Sequence, residues 1–239
     1  MKLPSLREML EAGVHYGHTR GHSQPGSRSF IFTLRDNVYV IDLEKTTKKL
    51  QEAIEFLNNL AEEDKIILFV GTKKQSKELL EKIAKFFNMS YITNRWTGGM
   101  LTNFETLLLN LKRLEELDKY IESEDFEKLT KKEKNRFKEN SQRLHQILDG
   151  VKGLKRLPDA IFIVDPAKEN IALQEANKLN IPVIALCDTN SDPSKIDYPI
   201  FANDDSQKSL SLILNAILNN LTSKVKKTSE KKNAKSRAN

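Results

Sequence analysis

Short, unbroken runs of apolar residues alternate with helical patterns along most of this chain. The runs lie at residues 66–70, 161–164 and 183–186. Runs this short, without polar alternation, are typical of strands that are covered on both faces. The segments between them carry apolar residues at every third or fourth position, which predicts amphipathic helices. Alternating strands and helices predict an α/β fold, in which a mostly parallel sheet has helices on both faces.

Residues 104–156 interrupt this alternation with two helical stripes. The apolar positions of the two stripes are Phe104, Leu107, Leu108, Leu111, Leu114 and Leu117, and then Phe137, Leu144, Ile147, Leu148 and Val151. An acidic turn separates them, and Thr130 with Glu133 forms a capping-box pattern before the second stripe. We therefore predict an inserted antiparallel helical hairpin whose two arms pack on each other. An intermolecular coiled coil is the alternative.

The chain is therefore expected to consist of three parts. Residues 1–103 and 157–222 form a discontinuous α/β body, residues 104–156 form the hairpin, and residues 223–239 form a tail. The tail holds seven Lys/Arg, one Glu and a single large apolar residue, Val225. Such a segment cannot bury enough apolar surface to offset the entropy of ordering. We expect a disordered basic tail.

The charge of the body is divided along the chain. Residues 1–156 carry 28 Lys/Arg and 23 Asp/Glu, whereas residues 157–222 carry four and nine. This division favours a protein with one surface against a polyanion and another turned away from it. A soluble protein with a solvated, Lys-rich tail is the alternative.

Three features bear on the compartment of the protein. The sequence contains no apolar run of about 18 residues, so it predicts no membrane-spanning helix. The first residues are charged at Arg7, Glu8 and Glu11, unlike a secretory signal. The single Cys187 excludes an internal disulfide framework and is typical of a reducing compartment. We expect the cytoplasm or an organelle stroma.

A parallel α/β sheet makes nucleotide binding the first enzymatic hypothesis. Residues 71–74 (Gly-Thr-Lys-Lys) follow a predicted strand and precede a helix, where a phosphate loop would lie. They lack the second glycine of the P-loop and of the dinucleotide-binding motif. We expect Lys73 and Lys74 to be exposed cations that suit a polyanion backbone. A nucleotide- or sugar-phosphate-binding enzyme remains the alternative function.

Other chemical sites find less support in the sequence. Residues 188–193 begin like a calcium loop, but Pro193 stands where the sharp turn requires glycine. His15, His18 and His22 are close in sequence without a fourth zinc ligand nearby. Cys187 lies in an apolar run, where an inert buried thiol is expected. The sequence predicts no metal, no cofactor and no catalytic residue.

Several loops together resemble one known family. These are residues 13–18 (GVHYGH), 69–73 (FVGTK), 94–103 (NRWTGGMLTN), 157–160 (LPDA), 181–183 (IPV), 188–193 (DTNSDP) and 203–205 (NDD). In this order they resemble the bacterial-type ribosomal protein two of the small subunit, and the similarity covers residues 5 to about 221. Each motif is weak by itself, whereas the ordered set is specific.

The resemblance implies both a fold and a function. The fold is a Rossmann-like (flavodoxin-like) α/β body with an inserted antiparallel coiled-coil hairpin. The function is a structural one, without catalysis: binding of small-subunit (16S-type) rRNA within the small ribosomal subunit, in support of translation. Neighbouring ribosomal proteins, with ribosomal protein one as a candidate, are the implied protein partners.

One loop departs from the family pattern. The family usually shows Trp-Asn-Pro-Lys-Met before the first strand, where this chain has residues 23–27 (Ser-Gln-Pro-Gly-Ser). An aromatic residue and a lysine are missing there, which puts RNA contact at this loop in question. Arg20 and Arg28 are the residues expected to compensate.

Two sets of site residues follow from the charges and the resemblance. The predicted RNA-binding residues are His15, His18, Arg20, Arg28, Lys73, Lys74, Arg95, Trp96, Lys131, Lys132, Lys134 and Arg136. The alternatives are that Trp96 fills the core and that the basic residues of the hairpin form a solvated face. The predicted protein-partner face consists of Asp188, Asp192, Asp204 and Asp205. Because RNA phosphates repel carboxylates, we expect this face to lie away from Lys73, Lys74 and Arg95.

Overall fold

The computed structural model describes the backbone of residues 1–236 and the side chains of residues 1–221. The strands in this part of the chain are β1 (Tyr16–Thr19), β2 (Ile31–Arg35), β3 (Val38–Ile41), β4 (Ile67–Val70), β5 (Ser90–Ile92), β6 (Ala160–Val164), β7 (Val183–Cys187) and β8 (Tyr198–Phe201). The α-helices are α1 (Leu6–Glu11), α2 (Leu43–Glu62), α3 (Lys74–Phe86), α4 (Phe104–Ile121), α5 (Glu124–Glu127), α6 (Lys131–Leu148), α7 (Asn170–Lys178) and α8 (Gln207–Ser236).

Five strands form one parallel sheet in the order β5-β4-β6-β7-β8. This confirms the α/β prediction. The strand order reverses direction between β4 and β6, which is the switch point at which doubly wound proteins usually bind ligands. Strand β8 was not predicted, because it is short and contains Pro199. Strand β8 lies at the edge of the sheet and has a neighbour on one side only. A proline is tolerated there, because no second strand needs its missing N–H as a hydrogen-bond donor.

The two faces of the sheet bury separate apolar cores, because successive side chains of a strand point to opposite faces. Phe69 and Phe162 pack against α2, α3 and α8 in the first core. Leu68 and Ile161 pack in the second core against α7 and the base of the α4–α6 pair. The prediction of helices on both faces is therefore confirmed.

A smaller antiparallel sheet, in the order β1-β3-β2, precedes the parallel one. The turn between β2 and β3 consists of Asp36 and Asn37, whose φ angles are 49° and 63°. Two consecutive positive φ angles in a two-residue loop are typical of a type I′ turn, and Asp and Asn tolerate that conformation better than other non-glycine residues. This turn joins β2 and β3 into an antiparallel β-hairpin.

Helices α4 and α6 are each 18 residues long and lie against each other. The capping box of Thr130 and Glu133 at the start of α6 is formed as predicted. At the distal end, Tyr120, Phe126 and Phe137 form an aromatic cluster. At the base, side chains of both helices join the second core of the body. The coiled-coil geometry of the seam stays a prediction.

The base of the α4–α6 pair approaches β5 closely at Gly150. A Cβ atom at this position would lie 2.0 Å from the carbonyl oxygen of Tyr91. Only glycine therefore allows the chain to pass β5 at this distance. Gly153, three residues later, has open space around the same position.

Helices α7 and α8 complete the body. Helix α7 begins at Asn170, five residues after Asp165. Asp165 has a φ of 62°, which is not the extended conformation of an N-cap residue. Ile171, in the first turn of α7, is exposed. Helix α8 continues to Ser236, while side chains beyond residue 221 lie outside the described part, so the disorder of residues 223–239 stays a prediction. No helix in the described residues is long and apolar enough to cross a membrane.

Candidate nucleic-acid interface

Residues 94–103, here called the clamp loop, connect β5 to α4 and carry one of the family-like motifs. Arg95 is exposed, whereas Trp96 is 6% exposed and packs in the second core. Trp96 was predicted to bind RNA, with a place in the core as the alternative, and the core placement is the observed one. Gly99 has a φ of 91°, a conformation that other residues rarely adopt.

A buried carboxylate on α7 holds this loop in place. One oxygen of Glu175 accepts hydrogen bonds from Trp96 Nε1 (3.1 Å) and Gly99 N (2.8 Å). The other accepts from Leu101 N (3.0 Å) and from Thr102 N and Oγ1 (2.9 and 3.0 Å). Burial alone would raise the pKa of Glu175, but hydrogen bonds from Thr102, Trp96, Gly99 and Leu101 outweigh it and lower this pKa. The clamp loop is thus fixed before any ligand arrives.

The role of Glu175 was not predicted from the sequence. A signal was available: Glu175 lies on the apolar face of α7 beside Ala172 and Ala176, both of which are fully buried. A carboxylate on a buried helix face requires partners, because an unpaired buried charge is costly. The pattern could not say which distant segment supplies these partners.

Lys73 lies at the carboxyl end of β4, at the switch point of the sheet, and is 9% exposed. Its Nζ atom is 2.8 Å from Asp165, 2.6 Å from Asp204 and 2.7 Å from Asp205. Burial opposes its charge, but the attraction of Asp204 and the hydrogen bonds of all three carboxylates outweigh this and raise the pKa of Lys73. We call these four residues the Lys73 cluster.

The Lys73 cluster corrects two expectations. Lys73 was predicted to be an exposed cation for RNA, and it is instead buried among carboxylates, because the ends of β4, β6 and β8 meet at one edge of the sheet. The acidic face was expected to lie away from Lys73, whereas Asp204 and Asp205 contact it directly. Lys74, the next residue, is exposed.

The surroundings of Asp204 disfavour its negative charge more than Lys73 favours it. Its side chain is fully buried, and its Oδ2 atom has no hydrogen-bond partner among the described residues. Burial and the charge of Asp165 raise the pKa of Asp204 to about 7, against the opposing effect of Lys73. The ionised form of Asp204 is therefore stabilised by the ammonium group of Lys73.

The N-terminal loop brings His18 to the same edge of the sheet. Its Nδ1 atom is 3.0 Å from Asp188 Oδ2 and its Nε2 atom is 3.8 Å from Asp205 Oδ2. The close contact of Asp188 raises the pKa of His18 more than partial burial lowers it. His15 lies against Tyr16, with ring centres 4.1 Å apart, and burial lowers its pKa.

Three of the four predicted acidic residues thus surround His18 or Lys73. The fourth, Asp192, accepts hydrogen bonds from the backbone and hydroxyl of Ser194 and caps a short helical turn. The structural role that loop aspartates often have is therefore observed at this residue.

The remaining predicted RNA-binding residues lie on two surfaces. Arg20 and Arg28 of the N-terminal loop are exposed, as are Lys131, Lys132 and Arg136 on α6. Lys134 differs from these, since its Nζ atom is 2.7 Å from Glu127 and lies over the ring of Phe126. Lys134 therefore has partners within the hairpin.

Metal and thiol chemistry find no support at these positions. No group of three or more His, Cys, Asp or Glu side chains in the described residues is arranged to hold a metal ion. Cys187 is fully buried, and burial raises the pKa of its thiol well above the ordinary value. The expected inert, buried thiol is confirmed.

Comparison with known proteins adds an independent observation. The family described as ribosomal protein S2 matches residues 9–223. The small ribosomal subunit protein uS2 of Petrotoga mobilis is 46% identical over 214 residues, which cover 90% of this chain and 74% of that protein. The protein of the same description from Deinococcus radiodurans is 47% identical over 217 residues, covering 91% and 82%.

Proposed function

This chain belongs to the ribosomal protein S2 family, and we infer that it is a structural component of the small ribosomal subunit that binds rRNA, supports translation and performs no catalysis. The observation that carries this function is the match over residues 9–223, which spans both the α/β body and the hairpin. The resemblance seen in the ordered loop motifs is confirmed by that match.

The Lys73 cluster argues against the enzymatic alternative. A nucleotide- or sugar-phosphate-binding enzyme of this topology would use the crevice at the switch point, next to β4 and β6. Here the cation at that position is engaged by three carboxylates of the same chain. Its charge is therefore not free to bind a phosphate.

Partners and location follow from the same premise. Small-subunit rRNA and neighbouring ribosomal proteins are the partners, and ribosomal protein one is the specific candidate that we propose. The location is the small ribosomal subunit, in the cytoplasm or an organelle stroma. We also propose that residues 104–156 act as an inserted coiled-coil hairpin, that residues 1–103 and 157–222 form the body, and that residues 223–239 form a disordered tail.

Sedimentation of a tagged copy through a sucrose gradient tests the proposed function. The tagged chain is expected to migrate with the small subunit in salt that preserves ribosomes, and to remain with it after purification through a second gradient. Migration only as free protein under those conditions would contradict the assignment. A tagged copy of an unrelated soluble protein of similar charge provides the control.

The exposed basic residues of α6 are expected to contribute to the salt dependence of RNA binding. Replacing Lys131, Lys132 and Arg136 with Ala should lower the slope of log affinity against log salt by about two to three, since each neutralised phosphate contributes roughly 0.7–0.9. Filter binding to a small-subunit rRNA transcript at several salt concentrations measures this slope.

Lys134→Ala is the matched control for this triple variant. It lies on the same helix and removes the same type of charge, but its ammonium group is paired with Glu127. We expect it to change the slope by less than any one of the exposed residues. An unchanged slope in the triple variant would show that this side of the hairpin is a solvated face.

A further inference from the structure

A cavity of about 160 Å³ lies between the clamp loop and helices α4 and α6. Its walls are formed by residues 97–100 of the clamp loop and by the facing sides of α4 and α6. The cavity is partly open to solvent, and Gly98 in its lining is exposed. None of the site residues discussed above accounts for it.

The size and walls of the cavity suit one flat ring. A cavity of about 150 Å³ with apolar walls is large enough to bind benzene. Met100, Leu107 and Leu148 are buried and supply apolar surface. Such a space would hold a single six-membered ring and would exclude a larger, bicyclic one.

The rim of the cavity is polar rather than apolar. Thr106 Oγ1 donates a hydrogen bond to Asn103 Oδ1 (2.7 Å), which leaves the amide N–H groups of Asn103 available. The carboxamide of Asn110 makes no hydrogen bond with the described residues. Side-chain amides offer a donor and an acceptor together, as the edge of a nucleobase requires.

Charge and rigidity distinguish this cavity from a site for an apolar peptide. Among the described residues that line it, none is acidic. Arg113 follows Asn110 by three positions on α4, and Arg143 precedes Ile147 by four on α6, so both extend the lining faces along their helices. The wall formed by the clamp loop is held by the hydrogen bonds of Glu175. A preformed apolar slot beside cations is suited to a base of an RNA strand.

We propose that this cavity binds one unpaired pyrimidine base of small-subunit rRNA. The inference rests on the proposed function and deepens it by assigning a position for direct base recognition. The ring enters between Met100 and the α4–α6 seam, Asn103 and Asn110 contact the polar edge of the base, and the adjoining arginines lie near the flanking phosphates.

A pair of glycine variants tests the proposal. Gly98→Leu places a side chain at the mouth of the cavity, and Gly153→Leu adds the same side chain elsewhere. A Cβ atom meets nothing within 4 Å at either position, and neither glycine has a positive φ, so both variants are expected to fold. Thermal unfolding followed by circular dichroism verifies this. Asn110→Ala, which removes a rim amide, is an independent second variant.

The probe is a small-subunit rRNA transcript with full-length protein. Wild-type protein is expected to protect the N3 atom of one unpaired pyrimidine from carbodiimide (uridine) or dimethyl sulfate (cytosine). Gly98→Leu should restore this reactivity and raise Kd about tenfold, the size of effect that loss of one stacked base has. Hydroxyl-radical protection of the backbone elsewhere should persist, and Gly153→Leu should behave as wild type.

Other results would overturn the proposal. Unchanged Kd and unchanged base reactivity in Gly98→Leu and Asn110→Ala would show that no base enters the cavity. Normal RNA binding by Gly98→Leu, together with reduced incorporation into assembled subunits, would assign the cavity to a protein neighbour instead. If wild-type protein protects no unpaired pyrimidine of the transcript, the proposal fails, whereas the proposed function is tested separately by sedimentation with the small subunit.

Discussion

Replacement of Glu175 by Gln is expected to lower the free energy of unfolding by about 3 kcal/mol, since hydrogen bonds to a buried charged group contribute roughly 1.5–3 kcal/mol each and several are disturbed together. The wild-type carboxylate accepts from Trp96 and Gly99 on one oxygen and from Leu101 and Thr102 on the other. Glutamine has one oxygen, so its NH₂ group must face one of these two sets of donors. We expect the clamp loop to lose its fixed conformation.

The effect of this substitution should depend on pH. The hydrogen bonds to Glu175 lower its pKa in the folded state. A group with a lowered folded pKa contributes stability above its unfolded pKa, and this contribution is lost as the pH falls through the folded pKa. The difference in unfolding free energy between wild type and Glu175→Gln should therefore be largest at neutral pH and shrink in acid.

Urea denaturation of the two proteins at pH 7 and in acid measures this difference. Glu116→Gln is the control, because Glu116 is an exposed glutamate on α4. Its substitution is expected to change stability by less than about 0.5 kcal/mol. Equal stability of wild type and Glu175→Gln at pH 7 would mean that the carboxylate does not hold the clamp loop in solution.

Lys73→Met is expected to be the most destabilising of the predicted substitutions, at about 3–5 kcal/mol, which is typical when one partner is removed from a buried ion pair. Methionine preserves most of the volume of the side chain but removes the cation that faces Asp165, Asp204 and Asp205. Asp204 is fully buried and would be left beside like charges. Thermal unfolding should show a large decrease in Tm.

A substitution of Lys74, the residue next to Lys73, distinguishes the structural role of Lys73 from a role in RNA binding. Lys74→Ala is expected to leave Tm unchanged, because Lys74 is exposed, and to lower the salt slope of RNA binding by about one if it contacts a phosphate. Adding Asp204→Asn to Lys73→Met should recover part of the lost stability, since it removes one uncompensated charge. A Lys73→Met protein as stable as wild type would show that the Lys73 cluster contributes nothing to folding.

Much of the architecture followed from local patterns. The runs at residues 66–70, 161–164 and 183–186 predicted parallel strands covered on both faces, because only the periodicity of each segment is needed to infer that. The two stripes of residues 104–156 predicted paired helices for the same reason.

The candidate site was predicted in part. The motif of residues 94–103 directed attention to the clamp loop, but the sequence left open whether Trp96 binds RNA or fills the core. Lys73 was placed on the surface by its position after a strand, and the structure shows it buried. Nothing in the residues around Lys73 indicated that Asp204 would reach it, 131 positions later in the chain.

The architecture was predictable from the sequence and the contacts of Lys73 and Glu175 were not, for one physical reason. Secondary structure depends on contacts between residues that are near in the chain, so apolar periodicity and capping residues record it directly. The partners of Glu175 and Lys73 come from segments that are brought together only when the sheet assembles and the ends of β4, β6 and β8 meet at one edge. An ion pair or a buried hydrogen bond leaves no periodic pattern in either segment. The sequence therefore determined which strands and helices form, whereas the packing of the sheet determined which charges are exposed at the surface and which hold the protein together.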